Sequence, residues 1–481
     1  MPGAHVDHLV VGAGSAGCAV ASILAQDPAR SVLLVEAGPD REPFDPADPT
    51  TSPDLFRALA TDSRRWPHAT AQRSPHGVVR PYARGRGLGG SSAINGLVCL
   101  PGRAEDYNRW ERDYGCTGWG WDFVRGSLRE LQQHTIRLPA SDWGGVDLGL
   151  RDSAVDLGFA ELDGHDGQHG HDGHDVARFD GVGAAPLGLV VDVGGRAWRG
   201  SSDALFLTPI RDRPNLAVRC NTSVDQLLVD GTRVHGSRLI DGDEIEASHV
   251  TLCAGAIQSP AILLRSGIDR PGVGANLHDH TGVTVTLELR TPMSLTTPVT
   301  GAVLHADGIQ VTPCNRVGIA GHDLHFGSLL AVCLRTYGRG FVHLRADDPS
   351  GWPEVVFDSV GDERDRTALR RAARLLSDLT DRMGPSIKSV AVDDLRSTDD
   401  ASLDRWIENN LADVLHAAGT CRMGPPSDEM AVVDSSCAVI GYRGLSVIDA
   451  SVMPELPSAN PHLPIMMVAT RATRRLVSTL G

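Results

Sequence analysis

Apolar residues form two short runs near the start of the chain, separated by a stretch of small residues. Residues 6–11 read Val-Asp-His-Leu-Val-Val and residues 31–35 read Ser-Val-Leu-Leu-Val, a density of apolar residues typical of buried parallel strands. From Gly17 to about Gln26 the small and apolar residues suit a buried helix. This order predicts a βαβ unit in which both strands belong to one parallel sheet.

The turn between the first predicted strand and the helix is rich in glycine. Residues 12–17 read Gly-Ala-Gly-Ser-Ala-Gly, and Glu36 stands at the end of the second strand, nineteen residues after Gly17. Gly12 permits a tight turn, Gly14 lets the backbone approach a pyrophosphate, and Gly17 allows close packing of helix on strand. The Glu36 carboxylate can accept both hydroxyls of an adenosine ribose. The pattern predicts a dinucleotide site without distinguishing NAD from FAD.

A second glycine-rich loop follows at residues 84–96, with five glycines among thirteen residues and two serines and an asparagine embedded. A backbone so poor in side chains can lie against a flat ring, while hydroxyl and amide groups bond to the polar edge of that ring. From these residues alone, a flavin-binding loop and a mobile surface loop are equally good interpretations.

This loop resembles the first signature of the glucose-methanol-choline (GMC) oxidoreductase family, continued by Gly102 and residues 106–110. Residues 252–268 are similar to the second signature, and residues 213–224 resemble the strand whose valine meets the adenine. Members of the family are FAD enzymes. The resemblance implies an α/β fold, with an FAD-binding Rossmann-like domain of GMC type and a second, substrate-binding domain of mixed or antiparallel sheet plus helices.

The resemblance also divides the chain into two domains. The FAD-binding domain is expected to be discontinuous and to comprise residues 1–150, 196–281 and 412–481. The substrate-binding domain is expected to comprise residues 151–195 and 282–411. The stretch after His280 is shorter than in most members, so we expect an open active site that admits a bulky or conjugated alcohol.

Two histidines near the C-terminus match the family's C-terminal pattern, in which a histidine and a second histidine or asparagine face the flavin. They are His416, which opens the segment 416–424, and His462, which lies in Asn460-Pro-His-Leu-Pro464. An imidazole with an ordinary pKa near ~6.5 can take the hydroxyl proton of an alcohol around neutral pH. A second imidazole can bond to the developing alkoxide. The match implies His416 as the general base and His462 as its positioning partner.

The same match implies a set of cofactor-binding residues. They are Gly12, Gly14, Ser15, Ala16, Gly17, Glu36, Ala37, Arg86, Gly89, Gly90, Ser91, Asn95, Gly96, Leu97, Val224, Ala254, Gly255, Asp449, Ala450, His462, Leu463 and Pro464. A C-terminal helix that begins near Pro464 is expected to point its N-terminus at the flavin, where the partial positive charge would stabilise the anionic reduced ring.

One departure from the family bears on how FAD is held. Members that attach FAD covalently carry a histidine directly before the loop asparagine, and this chain has Ile94 there. Isoleucine has no nucleophile, so we predict a non-covalent FAD. A second departure is Pro101, which stands where the family often has arginine and so removes one side-chain contact.

Composition limits the partners and the compartment. Acidic residues number 60 against 45 basic ones, a balance that disfavours nucleic acid and anionic lipid surfaces. No apolar run reaches the ~20 residues of a membrane span, and no secretory signal precedes the first strand, so we expect a cytoplasmic protein. Nine widely spaced cysteines indicate reduced thiols rather than a disulfide framework.

One segment has the composition of a metal site. Residues 163–175 hold four histidines and four aspartates among glycines that impose no geometry. We interpret the segment as a solvated loop and predict no metal, because FAD-dependent alcohol oxidation needs none.

The resemblance implies an oxidoreductase that converts a primary or secondary alcohol to the carbonyl by hydride transfer to flavin N5. Its partners would be a small-molecule alcohol and an electron acceptor, either oxygen or a redox carrier. The compact, arginine-rich chain also resembles the mycofactocin-associated branch of the family, whose members pass electrons to a carrier. The alternatives are a non-redox lyase of the same fold, similar to hydroxynitrile lyases, and a flavin-binding protein without catalysis.

Overall fold

The computed structural model of the protein describes residues 5–162, 180–192, 194–319, 321–384, 387–390, 395–397 and 399–480. Within these residues no helix is both long and apolar enough to cross a lipid bilayer. All nine cysteines lie in the described parts and all are free thiols, as the spacing of the cysteines predicts.

Most strands belong to two large sheets. In chain order the described strands are β1 (Val6–Val11), β2 (Val32–Val35), β3 (Thr70–Ala71), β4 (Arg80–Pro81), β5 (Ile136–Arg137), β6 (Glu161–Leu162), β7 (Gly181–Ala184), β8 (Pro186–Leu187), β9 (Leu189–Val191), β10 (Ala197–Arg199), β11 (Leu216–Arg219), β12 (Val224–Asp230), β13 (Arg233–Leu239), β14 (Glu244–Leu252), β15 (Thr281–Leu289), β16 (Ala302–Ala306), β17 (Ile309–Cys314), β18 (Phe326–Cys333), β19 (Phe341–His343), β20 (Glu354–Val356), β21 (Ile387–Val390), β22 (Leu411–Asp413) and β23 (Leu445–Val447).

The helices pack on these sheets. In chain order they are α1 (Gly17–Leu24), α2 (Leu55–Leu59), α3 (Ala104–Tyr114), α4 (Trp121–Gln132), α5 (Gly145–Asp156), α6 (Gly255–Arg265), α7 (Glu363–Thr380), α8 (Asp400–Asn410) and α9 (His462–Leu480). Helix α9 begins two residues before the start that the sequence predicts.

The first sheet has the order β11-β2-β1-β14-β13-β12, with β23 paired to β14. Strands β11, β2, β1, β14 and β23 run parallel, while β12, β13 and β14 form an antiparallel meander. The predicted βαβ unit is therefore present as β1, α1 and β2. Leu9 and Val10 of β1 and Leu34 of β2 are fully buried, which explains their nearly unbroken apolar sequence.

The register of the parallel strands brings four chain segments to one edge of this sheet. Val11 pairs with Val35 on one side and with Leu252 on the other, and Leu252 pairs with Val447. The residues that follow these strand ends are therefore neighbours, although they lie far apart in the sequence. Ligands of open α/β sheets bind at this carboxyl edge.

The second sheet has eight strands in the order β21-β15-β18-β17-β16-β7-β6, with β22 paired to β15. Its neighbours run antiparallel except β6 and β7. Helices α5, α7 and α8 bury Leu150, Leu376 and Trp406 in one core with these strands. The structure thus has the predicted α/β class, a mainly parallel dinucleotide sheet together with an antiparallel sheet and its helices.

The predicted domain boundary after residue 150 falls inside α5. The buried side chains of that helix, Val146, Leu150 and Ala154, all belong to the core of the second sheet. The other large core lies around the first sheet and includes α1, α6 and α9.

Candidate active site

The first glycine-rich turn leaves β1 and enters α1 with almost no space for side chains. Gly12 has a φ of +98°, and a Cβ at Gly17 would lie 1.8 Å from the carbonyl oxygen of Gly12. A Cβ at Gly14 would meet only the Cα of Gly90, at 4.0 Å. Gly12 and Gly17 therefore shape the turn, whereas Gly14 presents bare backbone to the space beyond it.

Glu36 joins the two glycine-rich loops. Its buried carboxylate accepts hydrogen bonds from the backbone N–H of Ala13 at 2.8 Å and of Gly38 and Gly87 at 2.9 Å each. Burial raises the pKa of Glu36, and the three N–H groups oppose that rise. The acid that the sequence assigns to the ribose therefore also fixes the positions of both loops.

The second loop packs directly on the first. Gly89 and Gly90 have φ values of +85° and +50°, and a Cβ at Gly90 would lie 2.8 Å from the Cα of Gly14. Arg86 donates to the carbonyl of Ala37 at 2.8 Å, so it bonds within the predicted site. Only glycine permits the positive φ values of residues 89 and 90 together with the close contact between Gly90 and Gly14.

A buried arginine holds the end of the second loop. Arg199 donates through Nη1 to the backbone carbonyl of Asn95 at 2.6 Å and to its side-chain oxygen at 2.9 Å. Burial and, to a smaller extent, the nearby Arg41 together lower the pKa of Arg199 to about 9. The same Asn95 oxygen accepts the N–H of Leu97, which has a φ of +67°. Asn95 therefore acts as an anchor of the loop.

A cavity of about 300 Å³ lies along the carboxyl edge of the first sheet. Most of the predicted cofactor-binding residues line it: Gly12, Gly14, Ser15, Ala16, Glu36, Ala37, Gly90, Ser91, Val224, Ala254, Gly255, Asp449 and Ala450. A Cβ at Gly255 would meet no atom within 4 Å, so a side chain there would protrude into free space. Walls of bare backbone and a buried acid fit an extended dinucleotide such as FAD.

The other predicted cofactor residues are not among those that line this cavity. Gly17 is the first residue of α1 and Gly89 lies in the second glycine-rich loop. Asn95, Gly96 and Leu97 stand at the end of that loop. His462, Leu463 and Pro464 form the first turn of α9, and Ile465, the next residue, lines the cavity. The start of α9 therefore lies at the site, as the sequence predicts.

The sequence interpretation missed an aromatic pair at the cavity. Trp66 and Trp352 both line it, with ring centroids 6.0 Å apart. Trp352 donates to the carbonyl of Thr70, which holds its ring in place. No pattern along the chain marks either residue, because 286 positions separate them.

Asp449 connects α6 to the segment after β23. Its carboxylate accepts the N–H of Gly255 at 2.8 Å and the hydroxyl of Ser259 at 2.6 Å, and its other oxygen accepts the N–H of Ser451 at 2.8 Å. Burial raises the pKa of Asp449, and these donors oppose that rise. The residue is both a cavity wall and a structural link.

The backbone of His416 is held from two sides. The preceding residue, Leu415, has a φ of +66°, a conformation unfavourable for a side chain with a Cβ. Arg84, which lines the cavity, donates to the carbonyl of Leu415 at 2.7 Å. Asp279 accepts the N–H of His416 at 2.8 Å and the hydroxyl of Tyr82 at 2.8 Å. Burial raises the pKa of Asp279 to about 7.

The ring of His416 contacts a second imidazole that the sequence interpretation did not assign to the site. The Nδ1 atoms of His416 and His280 are 2.9 Å apart, and the rings meet edge to face at 83°. Burial lowers the pKa of His416 well below its ordinary value, and the neighbouring His280 and Arg84 lower it further. Burial lowers the pKa of His280 to about 4. Both rings are therefore neutral at neutral pH.

His462 lies against the first glycine-rich turn. Its Nδ1 is 3.0 Å from the hydroxyl of Ser15, and its Nε2 is buried without a hydrogen-bond partner among the described residues. Burial and, to a smaller extent, the nearby Arg199 together lower the pKa of His462 to about 4. The described contacts thus connect His462 to the dinucleotide turn and His416 to His280, and no hydrogen bond joins the two predicted catalytic rings.

Two residues before His462, Asn460 contacts the second sheet. Its side-chain oxygen accepts a hydrogen bond from Gln310 of β17 at 3.2 Å. Gln310 is fully buried and also donates to Thr312 at 3.0 Å. Asn460 therefore links the segment before α9 to the second sheet. Its place in the Asn-Pro-His motif is the sequence signal that marks it.

In the part of the chain that the structure describes, no three His, Cys, Asp or Glu side chains come together in a way that could hold a metal ion. The histidine-rich and aspartate-rich segment 163–175 lies outside the described residues.

A cavity with dinucleotide-binding loops at the carboxyl edge of a parallel sheet, together with a second, antiparallel sheet, fits the class of dinucleotide-dependent enzymes. Family models described as GMC oxidoreductase match residues 6–282 and 336–469. The chain belongs to the GMC oxidoreductase family, whose members bind FAD and act on CH–OH donors.

Individual relatives cover nearly the whole chain. The 5-(hydroxymethyl)furfural oxidase of Methylovorus sp. (strain MP688) is 31% identical, with 97% of each chain covered. The oxygen-dependent choline dehydrogenase of Klebsiella pneumoniae is 29% identical over 97% of this chain and 94% of its own. The crystal structure of pyridoxine 4-oxidase from Mesorbium loti has a TM-score of 0.85 at 25% identity, covering 98% and 99% of the two chains.

Proposed function

We propose that the protein oxidises a primary or secondary alcohol to the carbonyl, with His416 as the general base that accepts the hydroxyl proton. Bound FAD supplies the acceptor of the hydride, at its N5 atom. The observation that carries this proposal is the neutral His416 ring, held beside the cavity through Arg84 and Asp279. The roles of His462, Asn460 and the cofactor-binding residues are part of the same proposal.

The environment of His416 suits a base. Burial keeps the imidazole unprotonated at neutral pH, so a lone pair is available for the hydroxyl proton. The Nε2 atom of His416 makes no hydrogen bond to any described residue, whereas its Nδ1 is engaged by His280. Nε2 is therefore the atom to which we assign the proton.

Two further side chains are proposed to position the alcohol and FAD. We keep His462 as a partner of the site and assign its contact with Ser15 to the holding of FAD at the first glycine-rich turn. Asn460 has an amide N–H₂ group besides the oxygen that Gln310 engages, and this group can donate to an alkoxide. The start of α9 adds its free N–H groups and partial positive charge.

We propose that FAD is bound without a covalent link. Ile94, which stands where covalent members have a histidine, is 4% exposed and packs with Ala58 and Ala93. A buried apolar side chain cannot form a bond to the ring. We therefore propose that the predicted cofactor-binding residues hold FAD through backbone N–H groups, hydroxyls and the Glu36 carboxylate.

The substrate is proposed to be a small-molecule alcohol, and the names of the relatives supply its candidates. Furfuryl, pyridyl and choline-type alcohols are the first to test. The short sequence between His280 and residue 338 leads us to favour a bulky or conjugated alcohol. The electron acceptor is either oxygen or a carrier, and a cytoplasmic location remains our expectation.

The decisive experiment mixes the FAD-loaded protein anaerobically with 5-(hydroxymethyl)furfural, pyridoxine, choline and benzyl alcohol. We expect at least one to bleach the flavin band, and His416→Ala to slow that bleaching by about 100-fold to 10,000-fold at unchanged flavin content. Turnover of a cyanohydrin with the band unchanged would support the lyase instead. Admission of air against an artificial acceptor then separates an oxidase from a dehydrogenase.

A further inference from the structure

The ring of His280 has no catalytic role in the proposal above, yet it makes a hydrogen bond to the ring of the candidate base. Its position follows from a short antiparallel bridge, in which the backbone of His278 exchanges hydrogen bonds with that of Ala418 at 3.2 and 3.0 Å. The two segments run in opposite directions. His280 lies two residues after His278 and His416 lies two residues before Ala418, so the two histidines come opposite each other on one face.

The contact between the two rings restricts where their protons can be. A hydrogen bond between two Nδ1 atoms at 2.9 Å needs one nitrogen to donate and the other to accept. The base must keep the lone pair on its Nε2, and a neutral imidazole then carries its proton on Nδ1. His416 is therefore the donor in this contact, and His280 must accept through an unprotonated Nδ1.

The surroundings of His280 favour that state. Its Nε2 is buried and has no hydrogen-bond partner of good geometry in the described chain. The backbone carbonyl groups of Leu334 and Pro457 act on the ring, because they oppose the fall of its pKa that burial causes. Carbonyl oxygens only accept, so they favour a proton on the nitrogen turned away from His416.

We propose that His280 is a positioning residue that fixes the tautomer of His416: His280 carries its proton on Nε2 and accepts the Nδ1–H of His416 through its own Nδ1. This inference rests on the proposed role of His416. The hydroxyl O–H bond of the alcohol then breaks as Nε2–H of His416 forms, and the resulting imidazolium keeps its Nδ1–H bond to neutral His280. A neutral imidazole thereby has the orienting role that a carboxylate has in a catalytic triad.

The geometry separates this role from a merely structural one. His280 touches His416 on the side opposite Nε2, so its loss changes proton transfer and leaves binding of the alcohol to other groups. The backbone around His416 is fixed independently by Asp279, which accepts the N–H of His416, and by Arg84, which donates to the carbonyl of Leu415. The expected signature is a fall in the rate of flavin reduction with an unchanged concentration dependence.

The first test uses the unaltered, FAD-loaded protein. Nitrogen-15 NMR of the protein labelled in its histidine rings reports which ring nitrogen carries the proton, with His280→Asn and His416→Gln used to assign the signals. We expect a proton on Nε2 of His280 and on Nδ1 of His416 at pH 7. The reverse arrangement, or a doubly protonated His280, would overturn the proposal.

The second test compares substitutions of His280 by anaerobic flavin reduction. His280→Ala is expected to lower the limiting rate about 100-fold, with KM and flavin content within about twofold of the unaltered protein. His280→Asn, whose side-chain oxygen can accept near the Nδ1 position, is expected to recover most of the rate. His280→Asp is expected to move the midpoint of the pH profile upward, because a carboxylate stabilises the imidazolium.

Controls distinguish failure of this inference from failure of the proposed function. His249→Asn removes a partly buried imidazole that bonds to Ser446 within the first sheet and makes no contact with His416, and we expect a normal rate. If His416→Ala reduces flavin as fast as the unaltered protein, the proposed base is wrong. If His416→Ala is slow but His280→Ala is not, only the role of His280 is overturned. Should the His280 variants fail to hold FAD, the tautomers in the unaltered protein decide.

Discussion

The carboxylate of Glu36 is the point at which the two glycine-rich loops meet. Its three N–H donors come from Ala13 in the first loop, Gly87 in the second and Gly38 between them. A single side chain thus sets the distance between two loops whose nearest residues, Gly17 and Arg84, are 67 positions apart in the sequence. Glu36 therefore contributes to the shape of the cavity as well as to its chemistry.

Glu36→Gln should weaken both FAD binding and the fold. The amide keeps one acceptor oxygen but places an N–H₂ group against backbone N–H donors, which leaves buried groups unpaired at a cost of about 1–3 kcal/mol. We expect a lower free energy of unfolding in urea and a higher Kd for FAD, measured by quenching of flavin fluorescence. Asp40→Asn, on the exposed side of the same segment, is the control; equal losses in both variants would contradict this role.

At the scale of elements, the turn from β1 into α1 requires that residue 17 has no Cβ atom. Gly17→Ala would set a Cβ against the carbonyl of Gly12, so α1 must move away from β1. We expect a loss of at least about 3 kcal/mol in the free energy of unfolding and a protein that does not retain FAD.

The matched substitution lies in α4. Gly126 is exposed, and a Cβ there would meet no atom within 4 Å. Gly126→Ala should stabilise the protein by about 0.5–1 kcal/mol, since alanine loses less backbone entropy on forming a helix. Denaturant curves of both variants test the pair, and a mild effect at Gly17 would show that the close approach of α1 to β1 is not required.

Strand β1 contains a buried histidine with an unusual setting. Both ring nitrogens of His8 lack hydrogen-bond partners among the described residues, and burial lowers its pKa to about 3. The folded protein therefore holds this ring neutral, whereas the unfolded chain binds a proton below pH ~6.5. Because the unfolded chain binds this proton and the folded protein does not, the free energy of unfolding falls as the pH drops from ~6.5 toward 3, and His8 has no such effect above pH ~6.5.

His8→Leu should remove this dependence on pH. An apolar side chain of similar size also removes two unpaired polar atoms, so the variant should be at least as stable as the unaltered protein at pH 7.5. Its advantage should grow by up to about 1.4 kcal/mol per pH unit between pH 6.5 and 4. Urea unfolding at several pH values measures this, and an advantage that stays constant with pH would contradict it.

At the scale of the whole molecule, the cavity is assembled from segments of the entire first core. The first turn, the second loop, the start of α6, the link at Asp449 and the start of α9 all contribute walls. A ligand that contacts all of them binds only the folded state and must stabilise it.

FAD should accordingly raise the thermal stability of the protein and be released intact by acid. At a free concentration 100 times its Kd, the gain is about 2.7 kcal/mol. Riboflavin, which lacks the pyrophosphate and adenosine, should give a much smaller shift in Tm. Acid precipitation should leave the yellow colour in the supernatant; colour that stays with the precipitated protein would contradict the non-covalent link that we infer from Ile94.

Local patterns were enough to predict the elements that the backbone itself requires. The βαβ unit appears as β1, α1 and β2, because its apolar runs and its glycines at fixed spacing act over short distances. The C-terminal helix is also present, with its start moved from near Pro464 to His462. Family resemblance added the second loop and the α6 segment, which line the same cavity.

The sequence by itself determined the family, the α/β class and the glycine-rich part of the cavity wall, because these depend on short motifs whose spacing is fixed by local geometry. Only the tertiary structure decided which imidazole meets His416. That choice depends on the register between the segments at 278 and 418, and on the packing of two sheets, which join residues more than one hundred positions apart. Such pairing leaves no periodic trace along a single chain.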